Sequence, residues 1–341
     1  MLPSLPGPAR GVIVIVAAAL ALATVLVTGL LAGLTAWGVP GPVDAATPGQ
    51  SPVLAAACAG TLRSSTPGIV ASDALTEISG IAASRRTRGA YWVHNDSGDS
   101  ARVFAIDTTG KTLGEFALDG AQAVDWEDIA VGPGPNRRTS YLFVGDIGDN
   151  LAARASVTVY RVPEPAVDRA GTSPAGPVAR VLPGAAALTF TYPDGSHDAE
   201  ALLVDPRSHD LLIVTKDLVG GRGIVFRGDA DAPAGTSAVL ERVADVSLGL
   251  GQGVTGGDVS ADGSTVALRT YLGVVLYPRV AGKLWDAFAQ PSCAGAAPPL
   301  VGLPRRSERQ GEAIGFVPSG KAYLTVGEGA HPPLHRFGAT R

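Results

Sequence analysis

A pattern of two short apolar runs flanked by polar residues recurs five times along this chain. In its fullest copy, the acidic stretch 125–128 leads into the apolar run 129–131. After a turn rich in glycine and proline, the run 141–144 leads into a second polar stretch, 145–150. Because the strands of a hairpin are antiparallel, the start of the first and the end of the second lie together. Each copy therefore predicts a hairpin with a polar end, and the other second strands are 91–93, 211–214, 266–268 and 322–325.

A third apolar run follows each hairpin, which favours sheets of more than two strands. A fourth strand is expected after four copies, at 112–118, within 178–192, at 238–246 and at 283–288. Four antiparallel strands that recur at about 50–75 residues are typical of propeller blades. We therefore predict an all-β fold, a β-propeller of five four-stranded blades. Part of a sixth blade within 166–193 is the alternative.

The last copy has no fourth strand of its own, while a strand candidate at 68–71 precedes the first copy. If this strand completed the last blade, it would close the ring without an exposed edge. The chain has two cysteines, Cys58 and Cys293, and we expect a disulfide between them near this closure. A lipid-anchored Cys58 is the alternative.

Residues 11–39 carry no charge and are long enough to cross a bilayer, so one N-terminal transmembrane helix is expected to precede the propeller. The alternative is a signal peptide cut near Ala45 or Ala46, which would leave a secreted protein. We predict a cytoplasmic tip and anchor at 1–39, a flexible tether at 40–57 and an extracytoplasmic propeller at 58–341, held at the cell membrane. A net charge of −4 disfavours nucleic acid as a partner.

In a propeller the polar ends of all the hairpins face the same end of the central channel, so many carboxylates are expected to meet there. Clustered carboxylates repel one another unless a cation or hydrogen bonds intervene, and oxygen ligands suit Ca²⁺ or Mg²⁺. We expect Ca²⁺. The candidate cation ligands are Asp96, Asp99, Glu127, Asp128, Asp146, Asp149, Asp198, Glu200, Asp258 and Glu312.

Other polar residues at the same end are candidates for binding a small polar or anionic ligand. Lys216 and Arg269 supply positive charge, either to hold an anion or to pair with the acidic residues. The alternative role of the carboxylates is structural, because a buried acid can accept backbone N–H groups and tie one blade to the next. The ligand-binding candidates are His94, Asn95, Asn150, Lys216, Asp217, Arg269, Glu328 and His331.

The motifs 94–99, 125–130, 145–150, 198–201, 255–258 and 310–313 resemble those of a family of exported bacterial β-propeller proteins of uncharacterised function. In fold and acidic channel the chain is more distantly similar to phytase-like and gluconolactonase-like propellers. That similarity implies Ca²⁺ binding and hydrolysis of phosphate esters or lactones. No catalytic residue of those proteins matches a position of this chain.

The expected function is a binding or sensing module whose acidic channel mouth holds a divalent cation and, through it, a small polar or anionic ligand. One alternative is a metal-dependent hydrolase of phosphate esters or lactones, in which the metal activates water. The other is a scaffold that binds proteins through its outer faces. The oligomeric state is left open.

Overall fold

The apolar runs of the five repeats form the inner strands of five antiparallel sheets, arranged as a five-bladed β-propeller. The computed structural model describes residues 51–167, 179–290, 293, 300–302 and 308–339. Blade 1 consists of β2 (Ile78–Ala83), β3 (Ala90–Asn95), β4 (Arg102–Asp107) and β5 (Thr112–Leu118). Blade 2 consists of β6 (Trp126–Pro133), β7 (Ser140–Asp146), β8 (Val157–Pro163) and β10 (Ala186–Thr191). Blade 3 consists of β11 (Ala199–Val204), β12 (Asp210–Thr215), β13 (Arg222–Asp229) and β15 (Glu241–Ser247).

Blades 4 and 5 complete the ring. Blade 4 consists of β16 (Val254–Val259), β17 (Thr265–Thr270), β18 (Gly273–Pro278) and β19 (Leu300–Gly302). Blade 5 consists of β20 (Arg309–Phe316), β21 (Ala322–Glu328), β22 (Pro333–Gly338) and β1 (Arg63–Ile69).

The innermost strands contact one another around the channel in the order β2, β6, β11, β16, β20 and back to β2. Each blade packs on both faces against its neighbours, so the first two strands of every blade are almost wholly buried. Burial of apolar side chains between the blades is the main stabilising contribution. The largest of these side chains, which include Trp92, Trp126, Phe143 and Tyr323, are removed from solvent as expected of core residues.

The N-terminal strand closes the ring, as predicted. β1 pairs antiparallel with β22 as the outer strand of blade 5, from Arg63 opposite Gly338 to Ile69 opposite Pro333. The predicted disulfide between Cys58 and Cys293 is present, so a covalent link joins the segment before β1 to the segment that follows β18 in the chain. The sheet pairing thus closes the ring, and the disulfide ties the N-terminal segment to the chain segment of blade 4.

Two short strands extend the sheets beyond four strands. β9 (Ala179–Leu182) pairs in parallel with β5 of blade 1, and β14 (Ser237–Val239) pairs in parallel with β10 of blade 2. Each comes from the chain segment of the following blade and covers the outer edge of the preceding one. The described part of the long interval 166–193 therefore supplies β9 and β10, and the described residues form no sixth blade.

The fourth strand of blade 4 is not where we predicted it. Most of the expected strand, 283–288, falls instead within a 3₁₀ helix, Leu284–Ala289, and β19 takes the outer position. The reason is spacing: Leu284 and Ala287 are buried three residues apart, which suits a helical turn. The Asp286 carboxylate also accepts the backbone N–H of Lys283 at 2.8 Å and caps the turn.

The end of the expected tether is also structured. Pro52–Cys58 forms helix α1, whose Val53 and Leu54 are fully buried in the core between blades 4 and 5. The expected anchor, 1–39, and most of the tether lie outside the described residues. Within the described ranges, no helix has the length and apolar character needed to cross a bilayer.

Candidate functional site

Seven carboxyl groups meet at the end of the central channel where the inner strands begin, and we call this cluster the acidic mouth. Glu127, Glu200 and Glu312 lie near the starts of β6, β11 and β20 and are buried. Because the repeats of blades 2, 3 and 5 carry a glutamate near the start of the first strand, the ring brings these three side chains together. The acidic mouth consists of Asp96, Asp125, Glu127, Asp198, Glu200, Glu312 and Glu328.

Within the acidic mouth, three overlapping sets of three carboxyl groups have oxygens within 4.8 Å of one another. Asp96 belongs to two of these sets and Glu127 to two. Five of the predicted cation ligands take part, together with Glu328, which we expected to bind a ligand instead. The sets are Asp96, Glu312 and Glu328; Asp96, Asp125 and Glu127; and Glu127, Asp198 and Glu200.

Burial and mutual repulsion raise the pKa values of six carboxyl groups of the acidic mouth, Asp96, Asp125, Glu127, Glu200, Glu312 and Glu328. The pKa of Glu312 rises to about 9, first because the side chain is buried and then because Glu328 lies beside it. Burial raises the pKa of Glu200 to about 7 even though Lys216 opposes the shift, and it raises the pKa of Asp125 to about 6. At neutral pH Glu312 therefore keeps its proton unless a cation compensates its charge, whereas Asp125 is mostly ionised. The acidic mouth is therefore a strong attractor for positive charge.

One oxygen of the cluster has no partner among the described residues. Glu312 is 4% exposed, and its Oε2 atom is buried without a hydrogen bond. Leaving a buried carboxylate oxygen unpaired costs free energy, and such an atom in a folded protein calls for an explanation. Its neighbours Asp96 and Glu328 are themselves carboxyls, so the missing partner is a cation or a proton.

The positive charge that is present comes from Lys216, which follows β12. Its Nζ donates to Glu200 Oε1 at 2.5 Å and lies 3.4 Å from the Tyr271 hydroxyl. Burial lowers the pKa of Lys216, but Glu200 outweighs burial and the pKa rises, so the ammonium stays charged. The Tyr271 hydroxyl in turn lies 3.5 Å from Glu312 Oε1.

Our sequence prediction did not include Tyr271, although the repeat carries a signal for it. Lys216 and Asp96 stand one residue beyond the end of the second strand of their blades, and Tyr271 is the corresponding residue of blade 4. We had instead selected Arg269, which lies within β17. The position one residue beyond the second strand therefore predicts Tyr271 as a residue of this site, whereas side-chain charge alone favours Arg269.

Asp128 crosses the channel and ties three blades together. It is fully buried in blade 2, and its Oδ2 accepts the backbone N–H of Leu202 at 2.9 Å and of Gly257 at 3.2 Å. Its Oδ1 accepts the N–H of Ile129 at 2.8 Å. Burial raises the pKa of Asp128 well above its ordinary value. These contacts correspond to the structural role that we gave as the alternative, and Asp128 is outside the three carboxyl sets.

Asp258 is at the opposite end of the channel. It lies next to the last residue of β16, and its carboxylate accepts the N–H of Val259 at 2.8 Å and of Phe316 at 2.6 Å. Burial raises its pKa to about 7. Since the inner strands all begin at the acidic mouth, a residue near a strand end is separated from that cluster by the length of the strand.

We expected two glycine-containing loops, 96–99 and 146–150, to wrap an ion. Asp96 belongs to the acidic mouth, but the other three carboxylates are paired within their own loops. Asp99 Oδ1 pairs with Arg102 at 2.8 Å, and Asp146 Oδ1 pairs with Arg154 at 2.8 Å. Asp149 accepts the backbone N–H of Arg154 at 2.7 Å. The structure does not bring Asp99, Asp146 or Asp149 into the carboxyl sets, because arginines and backbone groups of their own loops reach them first.

Two of the other candidates are buried between blades. His94 packs against the Trp126 ring, and burial lowers its pKa to about 4. Arg269 is fully buried, with Nη2 3.0 Å from Glu308 and Nη1 donating to the carbonyls of Ala313 and Val326. It therefore does not reach an anion at the acidic mouth.

The remaining candidates lie around the loops. Asn95 is buried and donates to the Ala74 carbonyl at 2.7 Å, which fixes the loop after β3. Asn150 is exposed, and exposed Asp217 accepts the Gly220 N–H at 2.7 Å in its own turn. His331 pairs with Asp73 at 3.1 Å on the exposed surface. None of these four residues belongs to the carboxyl sets among the described residues.

No family model matches this chain, and no curated protein matches it. Many solved chains match this structure. One of them is the β-propeller domain of Cps50 (Swd1) from Myceliophteria thermophila. It has 12% identical residues and a TM-score of 0.41, and the match covers 82% of this chain and 100% of that one. We infer nothing about function from this similarity.

Proposed function

We propose that the acidic mouth binds a divalent cation, preferably Ca²⁺, and through it a small polar or anionic ligand. The observation that carries the proposal is the unpartnered, buried Oε2 of Glu312 within the carboxyl sets that share Asp96. Five carboxyl groups adjoin one another there, and no cationic side chain of the described residues is in direct contact with them. In the third set, by contrast, Glu200 is already paired with Lys216. The two sets that share Asp96 are therefore the better cation site.

The number and origin of the carboxyl groups favour Ca²⁺ over Mg²⁺. Mg²⁺ requires near-ideal octahedral geometry at about 2.1 Å and usually keeps several waters, whereas Ca²⁺ binds oxygens at about 2.4 Å. Ca²⁺ also accepts six to eight oxygens in flexible geometry, which suits several carboxylates from different blades.

A binding or sensing role has more support than hydrolysis. The hydrolase alternative needs a cationic pair to hold the substrate anion, and Lys216 and Arg269 were the candidates. Lys216 is paired with Glu200, and Arg269 is buried between blades with Glu308. In a binding module, the metal itself supplies the positive charge that recognises the ligand, and no such pair is needed.

The proposed setting is outside the cytoplasm. Disulfides persist in oxidising compartments, and the link between Cys58 and Cys293 suits that setting. The membrane anchor and the cell-surface location remain proposals that rest on the uncharged N-terminal run.

The test is calorimetric titration of the purified propeller with Ca²⁺ at pH 8, comparing wild type with Asp96→Asn. Asp96 belongs to both favoured sets, so we expect Asp96→Asn to weaken Ca²⁺ binding at least tenfold. The matched control is Asp99→Asn, which makes the same substitution in the same loop at a carboxylate held by Arg102. Equal affinity of Asp96→Asn and Asp99→Asn, or no binding by wild type, would reject the site. Hydrolysis of a phosphomonoester or lactone that is lost with Asp96→Asn would instead establish the enzyme.

A further inference from the structure

The opposite end of the central channel opens into a cleft of about 370 Å³. Its floor consists of the ends of the inner strands, and its side is the turn between β2 and β3. The lining is apolar at Ala82, Val131, Val259, Phe316 and Val317. Clefts of this volume that combine an apolar lining with a few polar groups are typical small-molecule sites.

The charged residues of the cleft are mostly basic. Arg85, Arg86 and Arg88 lie on the turn between β2 and β3, and among the described residues Asp258 is the only acidic residue of the lining. Both oxygens of Asp258 accept backbone N–H groups, from Val259 and Phe316. Among the described residues, no side chain forms a hydrogen bond or ion pair with the Arg85 guanidinium. The balance of charge facing the cleft is therefore positive.

The basic turn is fixed from beneath by a buried carboxylate. Glu164 has no exposed surface, and its Oε1 accepts the Ser84 hydroxyl at 2.6 Å, the Arg85 N–H at 3.1 Å and the Trp92 indole N–H at 3.0 Å. The Arg86 guanidinium donates to the Glu164 carbonyl at 2.7 Å. Because the backbone of the turn is already held, a ligand would not have to order it, and preorganised sites bind more tightly for that reason.

We propose that this cleft is a second ligand site, separate from the acidic mouth, for a small organic anion with an aromatic or branched apolar body. The apolar floor between Val131 and Phe316 receives the body, and Arg85 pairs with the anionic group. A carboxylate, sulfonate or phosphate fits the planar guanidinium, which binds such groups through paired hydrogen bonds. A neutral molecule of the same shape gains the apolar contact alone.

The experiment is calorimetric titration with two probes of nearly equal shape, naphthalene-2-sulfonate and the neutral naphthalene-2-sulfonamide. It is run with calcium chelated, so that the acidic mouth does not contribute. We expect the sulfonate to bind at least tenfold more tightly than the sulfonamide, because its hydrogen bonds to Arg85 are charge-assisted. Arg85→Gln should bring the two affinities within about threefold of each other.

Two further variants give the controls. Ala261 is an exposed residue of the cleft lining, so Ala261→Trp should fill the cleft and abolish binding of both probes without disturbing the core. Arg207 is exposed, lies outside the lining and donates to the Asp262 carbonyl. Arg207→Gln is therefore the matched control, because it also removes one arginine but should not change the affinity for either probe. Glu312→Gln, which alters the acidic mouth, should leave sulfonate binding unchanged. Failure of both probes to bind wild type, or equal affinities of wild type for the two probes, would overturn the proposal. A tenfold preference for the sulfonate that survives Arg85→Gln, or binding of either probe that survives Ala261→Trp, would also overturn it.

Discussion

Glu312→Gln tests the electrostatics of the acidic mouth most directly, because it removes one charge and keeps the shape of the side chain. The pKa of Glu312 is raised to about 9 in the folded protein, whereas an ordinary glutamate ionises near pH 4.5. Between these values the unfolded chain is ionised at this residue and the folded chain holds a proton. Folding then takes up a proton, so this group's contribution to stability is full below about pH 4.5 and is lost as pH rises towards 9.

The size of the effect follows from the shift. Each pH unit within this window changes the free energy of unfolding by about 1.4 kcal/mol per proton taken up. Glu328 lies beside Glu312 and shares the proton, so between pH 5 and 8 we expect a loss of about 2–4 kcal/mol that Glu312→Gln avoids. For a domain of this size that difference corresponds to roughly 5–10 °C in Tm.

The assay is thermal unfolding of wild type and Glu312→Gln at pH 5 and pH 8, with chelator and then with excess Ca²⁺. With chelator, the two proteins should unfold at similar temperatures at pH 5, and the variant should be the more stable at pH 8. With Ca²⁺ at 100 times its Kd, wild type should gain about 2.7 kcal/mol and the variant less, which narrows or reverses the difference. Glu241→Gln, at an exposed glutamate of β15, is the control and should show none of these changes.

Two results would refute this reasoning. If Glu312→Gln were less stable than wild type at pH 8 with chelator, the carboxylate would be making favourable contacts that we have not recognised. If the stability difference were the same at pH 5 and pH 8, it would arise from packing, and the raised pKa of Glu312 would play no part.

Three other changes test the remaining parts of the structure. Asp128→Ala should lower the free energy of unfolding by about 2–4 kcal/mol, because it leaves three buried N–H groups unpaired across the channel; a loss below 1 kcal/mol in urea unfolding would contradict this. Reduction of the disulfide between Cys58 and Cys293 should lower the free energy of unfolding by about 4–5 kcal/mol, measured as a lower midpoint of urea unfolding. The reducing agent should not change the stability of a variant in which both cysteines are replaced by serine. Lys216→Met should tighten Ca²⁺ binding in calorimetric titration, because it leaves Glu200 free of its ion pair. The same change should lower the free energy of unfolding in the presence of chelator. Weaker Ca²⁺ binding by the variant would show instead that the lysine supports the metal site.

The fold could be predicted from the sequence because its repeating unit is local. A hairpin is fixed by apolar runs and turn residues close together in the chain, and five such hairpins have few ways to bury both faces other than a ring. The closing strand β1 was predicted from the same repeat, because the last blade lacked a fourth strand and the N-terminal segment contained a strand without a blade of its own. The error at Leu284–Ala289 came from treating an apolar run as a strand without checking its spacing.

The membership of the candidate site could be predicted only in part. Asp96, Glu127 and Glu312 meet because their positions within the repeat place them at the same end of the ring. Asp146 occupies a similar position but is paired with Arg154. No pattern in the sequence indicates that the Arg154 side chain contacts Asp146. The burial of Arg269 likewise depends on Glu308, which belongs to a different blade.

The sequence by itself determined the strands, their order and the end of each hairpin at which the polar residues lie, because these depend on neighbours in the chain. Only the tertiary structure decided which carboxylates are left without partners. Asp128 finds backbone donors 74 and 129 residues away, whereas the buried Oε2 of Glu312 has no hydrogen-bond partner in the part of the chain that the structure describes. Pairing of buried polar groups depends on which blades approach one another, and that is settled only when the ring closes.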